Sequence, residues 1–416
     1  MSINKYQRQK EQYSVDGGIT WFDVTPPNYR AGILLEYDSD DCNEPIITDG
    51  EYLTTEMLED GEVYFDRYIW SGGTITQTPL TNIAYSKNNG VWTNISYNEN
   101  VNVSRGDVIR WKANGYLSSN VYSTTIGELV SRFVSTASFN AYGNMKSLLY
   151  GDNFTTFDET NYLVNFMQFF LGSKIVNAKN LSMAENIAEN CYNFLFSDCS
   201  LLTIPPKVLP ATTLAKECYA FMFQRCRNLL KAPELPATTL AINCYNGMFY
   251  DCTSLVTAPE LPATTLATWC YHTMFSGCSS LVNVPNILPA TTLAMGCYMD
   301  MFYECTSLVT APELPATTLA EYCYGSMFQG CSSLVNAPVL PATTLVRGCY
   351  SIMFQLCSSL HYIKCLATDI SAEDCTNYWV NIMPRTGTFV KAPSMTSWTT
   401  GQHGIPYGWT VQDASE

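Results

Sequence analysis

The sequence predicts an α/β repeat solenoid, one short strand and one short helix to each turn of ~26 residues, preceded by an N-terminal β-rich region. Three observations predict it. The dipeptide Cys-Tyr starts at Cys191, Cys218, Cys244, Cys270, Cys297, Cys323 and Cys349, in steps of 26 or 27 residues, with a degenerate start at Cys375. The phrase Leu-Pro-Ala-Thr-Thr-Leu recurs from Leu209, Leu235, Leu261, Leu288, Leu314 and Leu340. Within a unit, the apolar residues fall on one face of a short helix.

That helix is read from Ala241, Cys244, Tyr245, Met248, Phe249 and Cys252, at offsets of 3, 4, 7, 8 and 11 from the first. A hydroxyl of Thr238 or Thr239 would cap its start. Ser254 to Ala258 then reads as a short strand, ended by Pro259, which has no N–H to donate. Leu261-Pro262 turns the chain toward the next helix. No unit can bury its apolar face alone, so neighbours stack in parallel around a common core. The 27-residue units carry one extra residue after the strand, at Pro205-Pro206-Lys207 and Pro285-Asn286-Ile287. An earlier, degraded turn is visible over 174–190, where Ile175, Ala178, Leu181 and Ile187 hold the apolar positions.

The flanks read differently. Ser14-Val15-Asp16-Gly17-Gly18-Ile19-Thr20-Trp21 matches the Asp-box pattern of tight hairpins in sialidase propellers, and Ser86 to Trp92 is a looser copy. The chain is too short for both a propeller and the solenoid, so both are read as structural hairpins. Arg105-Gly106-Asp107 lies between two alternating segments and reads as a hairpin turn, with an integrin motif as the alternative. The divisions expected are an acidic β module for attachment over 1–75, a β-sandwich-like module over 76–135, an N-terminal cap over 136–190, repeats over 191–375, and a C-terminal cap over 376–416.

The net charge is −15, and residues 1–70 hold 15 acidic against 5 basic side chains. Such a chain is repelled by nucleic-acid phosphates and anionic lipid, so neither is an expected partner. The run Glu36, Asp38, Asp40, Asp41 and Glu44 lacks the spacing of an EF-hand and reads as a solvated acidic loop. No apolar run at the start reads as a signal peptide, and none is long enough to span a membrane. Assembly in a reducing cytoplasm is therefore expected.

Fifteen of the 17 cysteines fall into two columns, one at the Cys-Tyr positions and one eight residues later. The expected spacing is too wide for disulfides, and no Cys-x-x-Cys occurs, so they are read as buried free thiols packing as small hydrophobes. The tyrosine column, Tyr192 to Tyr350, is read as a packed ladder with its hydroxyls at the rim. His272 is read as a surface histidine. No residue is assigned a catalytic, cofactor or metal role, and the sequence predicts a binding protein and no enzyme.

The repeat unit resembles the BspA-like leucine-rich repeats of surface proteins of Bacteroidales bacteria and their phages. The likeness extends to Ser147–Phe154 before the repeats and to Gly387–Lys391 and Gly404–Val411 after them. It implies a leucine-rich-repeat-like solenoid that recognises host or matrix components, with no catalytic site. Ligand-binding residues are then sought on exposed rows that vary between turns. One row is Lys231, Thr257, Asn283, Thr310 and Asn336; a second, after the proline, is Glu234, Glu260, Asn286 and Glu313. The first reading is a virion tail or capsid fibre protein. It would bind a host-surface glycan or protein through the repeats and other virion proteins through the N-terminal module. The alternative is an adhesin at the bacterial surface. Self-association into a homo-oligomer is left open.

Overall fold

The structure, a computed structural model, describes residues 12–14, 21–23, 51–69, 80–114, 129–156 and 166–415. The chain divides into two units, Met1–Ile46 and Ile47–Glu416. The first holds an antiparallel pair, β1 (Gln12–Ser14) with β2 (Trp21–Asp23), in which Ser14 faces Trp21. This is the hairpin expected around the Asp-box. The acidic run Glu36–Glu44 lies outside the described residues.

The second unit opens with two facing sheets. One takes β3 (Leu53–Met57), β5 (Thr81–Lys87), β6 (Thr93–Asn94), β8 (Val108–Asn114) and β10 (Phe139–Asn144), in the order β10-β3-β8-β5-β6. The other is β7-β4-β9, from β4 (Gly61–Ile69), β7 (Val101–Val103) and β9 (Leu129–Ser135). Alternation puts Phe65, Trp111, Phe133 and Phe139 inside, with ring centroids 5.2 to 5.5 Å apart. The indole N–H of Trp111 donates to Thr55 Oγ1 at 3.0 Å, so its burial leaves no orphan donor. Pairing of β4 with β7 and β9 crosses the division expected at residue 75.

The second Asp-box copy forms the β5–β6 hairpin. Asn88 and Asn89 both have positive φ, and Gly90 N–H donates to Lys87 C=O, as a type I′ turn requires. The Arg105-Gly106-Asp107 turn departs from expectation. It joins β7 to β8, which lie in different sheets, so it is an arch and not a hairpin. The Asp107 carboxylate is buried, accepts from Asn88 and Ser104, and pairs with Lys87 at 2.6 Å. Burial raises its pKa, but those donors and the Lys87 charge outweigh burial and hold it below the usual carboxylate range. A carboxylate so occupied does not present an integrin ligand.

Strand β10 is the handover to the solenoid. It pairs antiparallel with β3 and parallel with β11 (Ile175–Asn177) and β12 (Leu181–Ser182). Thereafter each coil meets the next by parallel bridges, among them Lys231↔Thr257↔Asn283 and Thr310↔Asn336↔Tyr362. The column runs on past the repeats through β13 (Tyr362–Cys365), β14 (Thr388–Lys391) and β15 (Thr410–Asp413), so the expected C-terminal cap continues the stack.

The expected helix is absent. Among the described residues the α-helix is α1 (Ser147–Tyr150), outside the repeats. The segment 241–252 is instead a chain of four-residue turns. Cys244, Asn246, Met248, Tyr250 and Cys252 each donate their N–H to the carbonyl three residues back, at 3.0 to 3.3 Å. The intervening Tyr245, Gly247, Phe249 and Asp251 donate to the next coil, at Cys270, His272, Met274 and Ser276, at 2.8 to 3.0 Å. Every fourth residue, here Asn243, Gly247 and Asp251, has φ of 55 to 57°. All eight coils repeat this at three positions. The Thr238 and Thr239 N–H groups go to the Thr212 carbonyl, so there is no helix for their hydroxyls to cap.

Spacing explains the difference. Packed helices need about 8–10 Å between axes, whereas parallel strands sit about 4.8 Å apart. On the turn side the phenylalanine rings from Phe196 to Phe354 stack at 5.4 to 5.9 Å. Coils that close leave no room for helices side by side. Sharing alternate N–H groups between coils satisfies the backbone at that distance.

The core is two aromatic files and two thiol files. Phe170 of the first coil stacks on Phe196 and touches Phe133 of the sandwich, so one aromatic column joins both parts. At the far end Tyr350 and Phe354 both meet Trp379, which stacks on Trp398. All 16 described cysteines are free and buried. The second thiol file has a defined role. Cys226, Cys252, Cys278, Cys305, Cys331 and Cys357 donate S–H to the phenylalanine carbonyl of the preceding coil at 3.0 to 3.1 Å. A small residue with a weak donor fits this place.

The tyrosine rings form the expected ladder, 5.6 to 6.1 Å apart, but their hydroxyls are not at a rim. Those of Tyr219, Tyr245, Tyr271 and Tyr350 are buried without a hydrogen-bond partner, while that of Tyr192 accepts from Ala184 N–H at 3.0 Å. An unpaired buried hydroxyl costs about 1–3 kcal/mol of desolvation. Tyr245→Phe should therefore leave thermal stability unchanged or raise it, and Tyr192→Phe should lower it by about 1 kcal/mol in denaturant titration. Equal losses at both sites would contradict the unpaired state of Tyr245.

Burial pushes the thiols up from 9.0, to about 12 at Cys244 and Cys357. Unfolded thiols release protons first, so folding stability is complete below pH 9 and is lost as pH rises toward about 12. A steep alkaline unfolding with onset above pH 9 is the expected titration. At pH 8 a thiol reagent should find the described cysteines silent until denaturant is added; rapid native labelling would refute their burial.

Candidate functional site

Each coil has a strand side, a proline turn, a threonine side and the turn side just described. The strand side carries the first predicted row. Lys231, Thr257, Asn283, Thr310 and Asn336 are all exposed, and Asn283 Nδ2 donates to Thr257 Oγ1 at 3.3 Å. Beside them runs an apolar ridge of Leu230, Val256, Val282, Val309 and Val335, each 36 to 47 % exposed. The sequence does not single out this ridge, because an apolar residue within a short strand segment gives no sign of which face it takes.

Glu234, Glu260, Asn286 and Glu313 of the second row are exposed as well. One assignment shifts. Glu313 bridges to Ile287, not Asn286, and Val208 bridges to Glu234. Asn286 and its counterpart Lys207 are the extra residues of the 27-residue coils, each at a bend one residue before the bridge. The insertion shifts by one the residue that faces the next coil, while the Lys207 and Asn286 carbonyls still accept from Glu234 and Glu313 N–H, which the proline-based alignment could not reveal.

The two insertions frame a site. A groove of about 590 Å³ is lined by Lys231 to Pro236, Thr257 to Glu260, and Pro262. It lies on the two coils between those carrying Lys207 and Asn286. It brings together Lys231 and Thr257 of the first row and Glu234 and Glu260 of the second. Asn283, Thr310, Asn336, Asn286 and Glu313 are not part of its lining. Four prolines, Pro233, Pro236, Pro259 and Pro262, make its walls stiff. A cation, two carboxylates and a hydroxyl on a rigid apolar wall can bind and orient a polar ligand.

The turn side holds outward residues that the sequence reading passed over. The left-handed position before each Cys-Tyr is occupied in turn by Asn190, Glu217, Asn243, Trp269, Gly296, Tyr322, Gly348 and Asp374. Four residues on stand Phe194, Phe221, Gly247, Thr273, Asp300, Ser326, Ile352 and Tyr378. These columns vary from coil to coil, apart from Phe194 and Phe221, while their neighbours repeat. His272 sits here, half-buried, with Nδ1 3.3 Å from Asn246 Oδ1, Nε2 3.5 Å from Asp300 Oδ2, and the Trp269 ring edge-on at 4.9 Å. The signal was present: residues vary at every fourth position within an otherwise constant unit, and in the structure most of the side chains there are partly exposed, with Asn190 and Ser326 buried.

Among the described residues no helix is long and apolar enough to cross a membrane. No family model matches the chain, and no curated protein matches it. Among solved structures, the chain is similar to a leucine-rich repeat protein from Bacteroides ovatus ATCC 8483. The match has 15% identity and a TM-score of 0.25, and covers 68% of this chain and 86% of that one. A superposition so loose fixes neither fold nor function; the fold rests on the hydrogen bonds given above.

Proposed function

We propose that this is a non-catalytic binding protein whose repeats carry host-surface recognition, and that it serves as a tail or capsid fibre component of a phage virion. The observation that carries the binding reading is the groove over Lys231, Glu234, Thr257 and Glu260. It interrupts a regular surface at the two coils bounded by inserted residues. At the proline turn the bridges Val208↔Glu234 and Ile287↔Glu313 both start from coils that carry an insertion, so the groove lies where the two coils between them are left without such a bridge to each other. In this reading the N-terminal module contacts other virion proteins, the ligand is a glycan or protein of the host surface, and assembly takes place in the host cytoplasm.

The second reading is a bacterial surface adhesin of the BspA-like type, binding host matrix protein or glycan. The exposed apolar ridge beside the groove favours a protein ligand and so speaks for it.

The test uses the full chain, fluorescently labelled, against whole Bacteroidales cells and against immobilised fibronectin and mucin. Labelling of the cells supports the virion reading; capture by fibronectin or mucin supports the adhesin. In either case Thr257→Trp, which fills the groove from an exposed ladder position, should weaken binding at least about tenfold, a loss of about 1.4 kcal/mol, at unchanged thermal stability. Silence toward all three surfaces, or full binding by the filled variant, would refute recognition through this groove.

A further inference from the structure

We infer that the turn side of the solenoid is a second recognition surface, for an extended neutral glycan, with Trp269 and Tyr322 as its aromatic platforms. The inference is independent of the groove, which lies on other residues of each coil.

The first ground is conformational. Trp269 has φ of 57° and Tyr322 of 55°, a region that bulky L-residues avoid. The same position in other coils is met by Asn243, Gly296 and Gly348, which adopt it at little cost, and by Glu217, which does not. Folding therefore does not require a large ring there, and would be better served without one. Glu217, Phe221 and Ile352 bear the same strain at left-handed positions, so what sets the two rings apart is their packing.

The second ground is steric. Each ring is followed one coil later by a glycine. A Cβ on Gly296 would stand 2.5 Å from the Trp269 ring, and one on Gly348 would stand 2.3 Å from the Tyr322 ring. The pairing recurs in the adjacent column, where a Cβ on Gly247 would lie 2.3 Å from Phe221. Ring and glycine thus form a unit that spans two coils, and the rings are held across the backbone while staying partly exposed.

Spacing and charge name the ligand. Trp269 and Tyr322 are two coils apart; two steps of 5.4 to 5.9 Å separate them by about 11 Å. That is the rise of roughly two sugar residues in an extended chain, so a polysaccharide would meet a ring at every second sugar. Aromatic faces take the C–H faces of sugars, and amides and carboxylates take their hydroxyls. Asp300 stands in the coil between the rings, Glu321 beside Tyr322, and Asn246 in the coil before Trp269. Arg347 lies 5.7 Å from the Tyr322 ring, but acidic groups outnumber it here and disfavour a polyanion.

Affinity electrophoresis of the full chain in gels containing soluble β-glucan, mannan or polygalacturonate tests this. Retardation by a neutral polymer and none by polygalacturonate is the expected result. The pair Trp269→Asn and Tyr322→Asn should weaken retardation at least tenfold while thermal stability holds or rises, because asparagine suits the left-handed position. Thr257→Trp, which blocks the groove, should leave retardation as it was. Absence of retardation by either neutral polymer, unchanged retardation in the double variant, or a stability loss in that variant would overturn the inference. Loss on groove filling alone would assign the glycan to the groove instead.

Discussion

The distance between successive coils on the turn side governs the rest of the molecule. Rings stacked at 5.4 to 5.9 Å draw the backbones nearly as close there as on the strand side. At that distance a segment has two ways to satisfy its N–H groups, and it uses both in alternation, one within the coil and one across it. The four-residue rhythm, the left-handed residues and the outward columns all follow from that alternation. So does the thiol file, whose S–H groups meet phenylalanine carbonyls that no neighbouring N–H reaches from the previous coil.

Much of this was legible in the sequence. The coil length, the parallel stacking, the inward cysteines, tyrosines, methionines and phenylalanines, and both Asp-box hairpins follow from periodicity and turn chemistry. The helix did not survive, for a definite reason. Offsets of 3, 4, 7, 8 and 11 fit a period of about 3.6, yet over three turns they fit a period of four as well. Asn243, Gly247 and Asp251 at four-residue intervals were the discriminating signal, because such residues favour positive φ.

The candidate site was legible in part. Exposure of both rows was read correctly, but their register was not, because proline spacing does not say which residue faces the next coil after an insertion. The groove lies on the two coils between the insertions, a relation visible only once the coils are stacked. The arch at Arg105-Gly106-Asp107 shows the same limit. Two alternating segments around a glycine look alike whether they pair with each other or with different sheets.

The central claim is that the repeats hold no helix and that alternate amides on the turn side cross between coils. The amide-I infrared spectrum of the purified protein tests it most directly. The account predicts strong β and turn bands, with no helical contribution from the repeats, 191–375. A strong helical band, as one helix per coil would give, would contradict it.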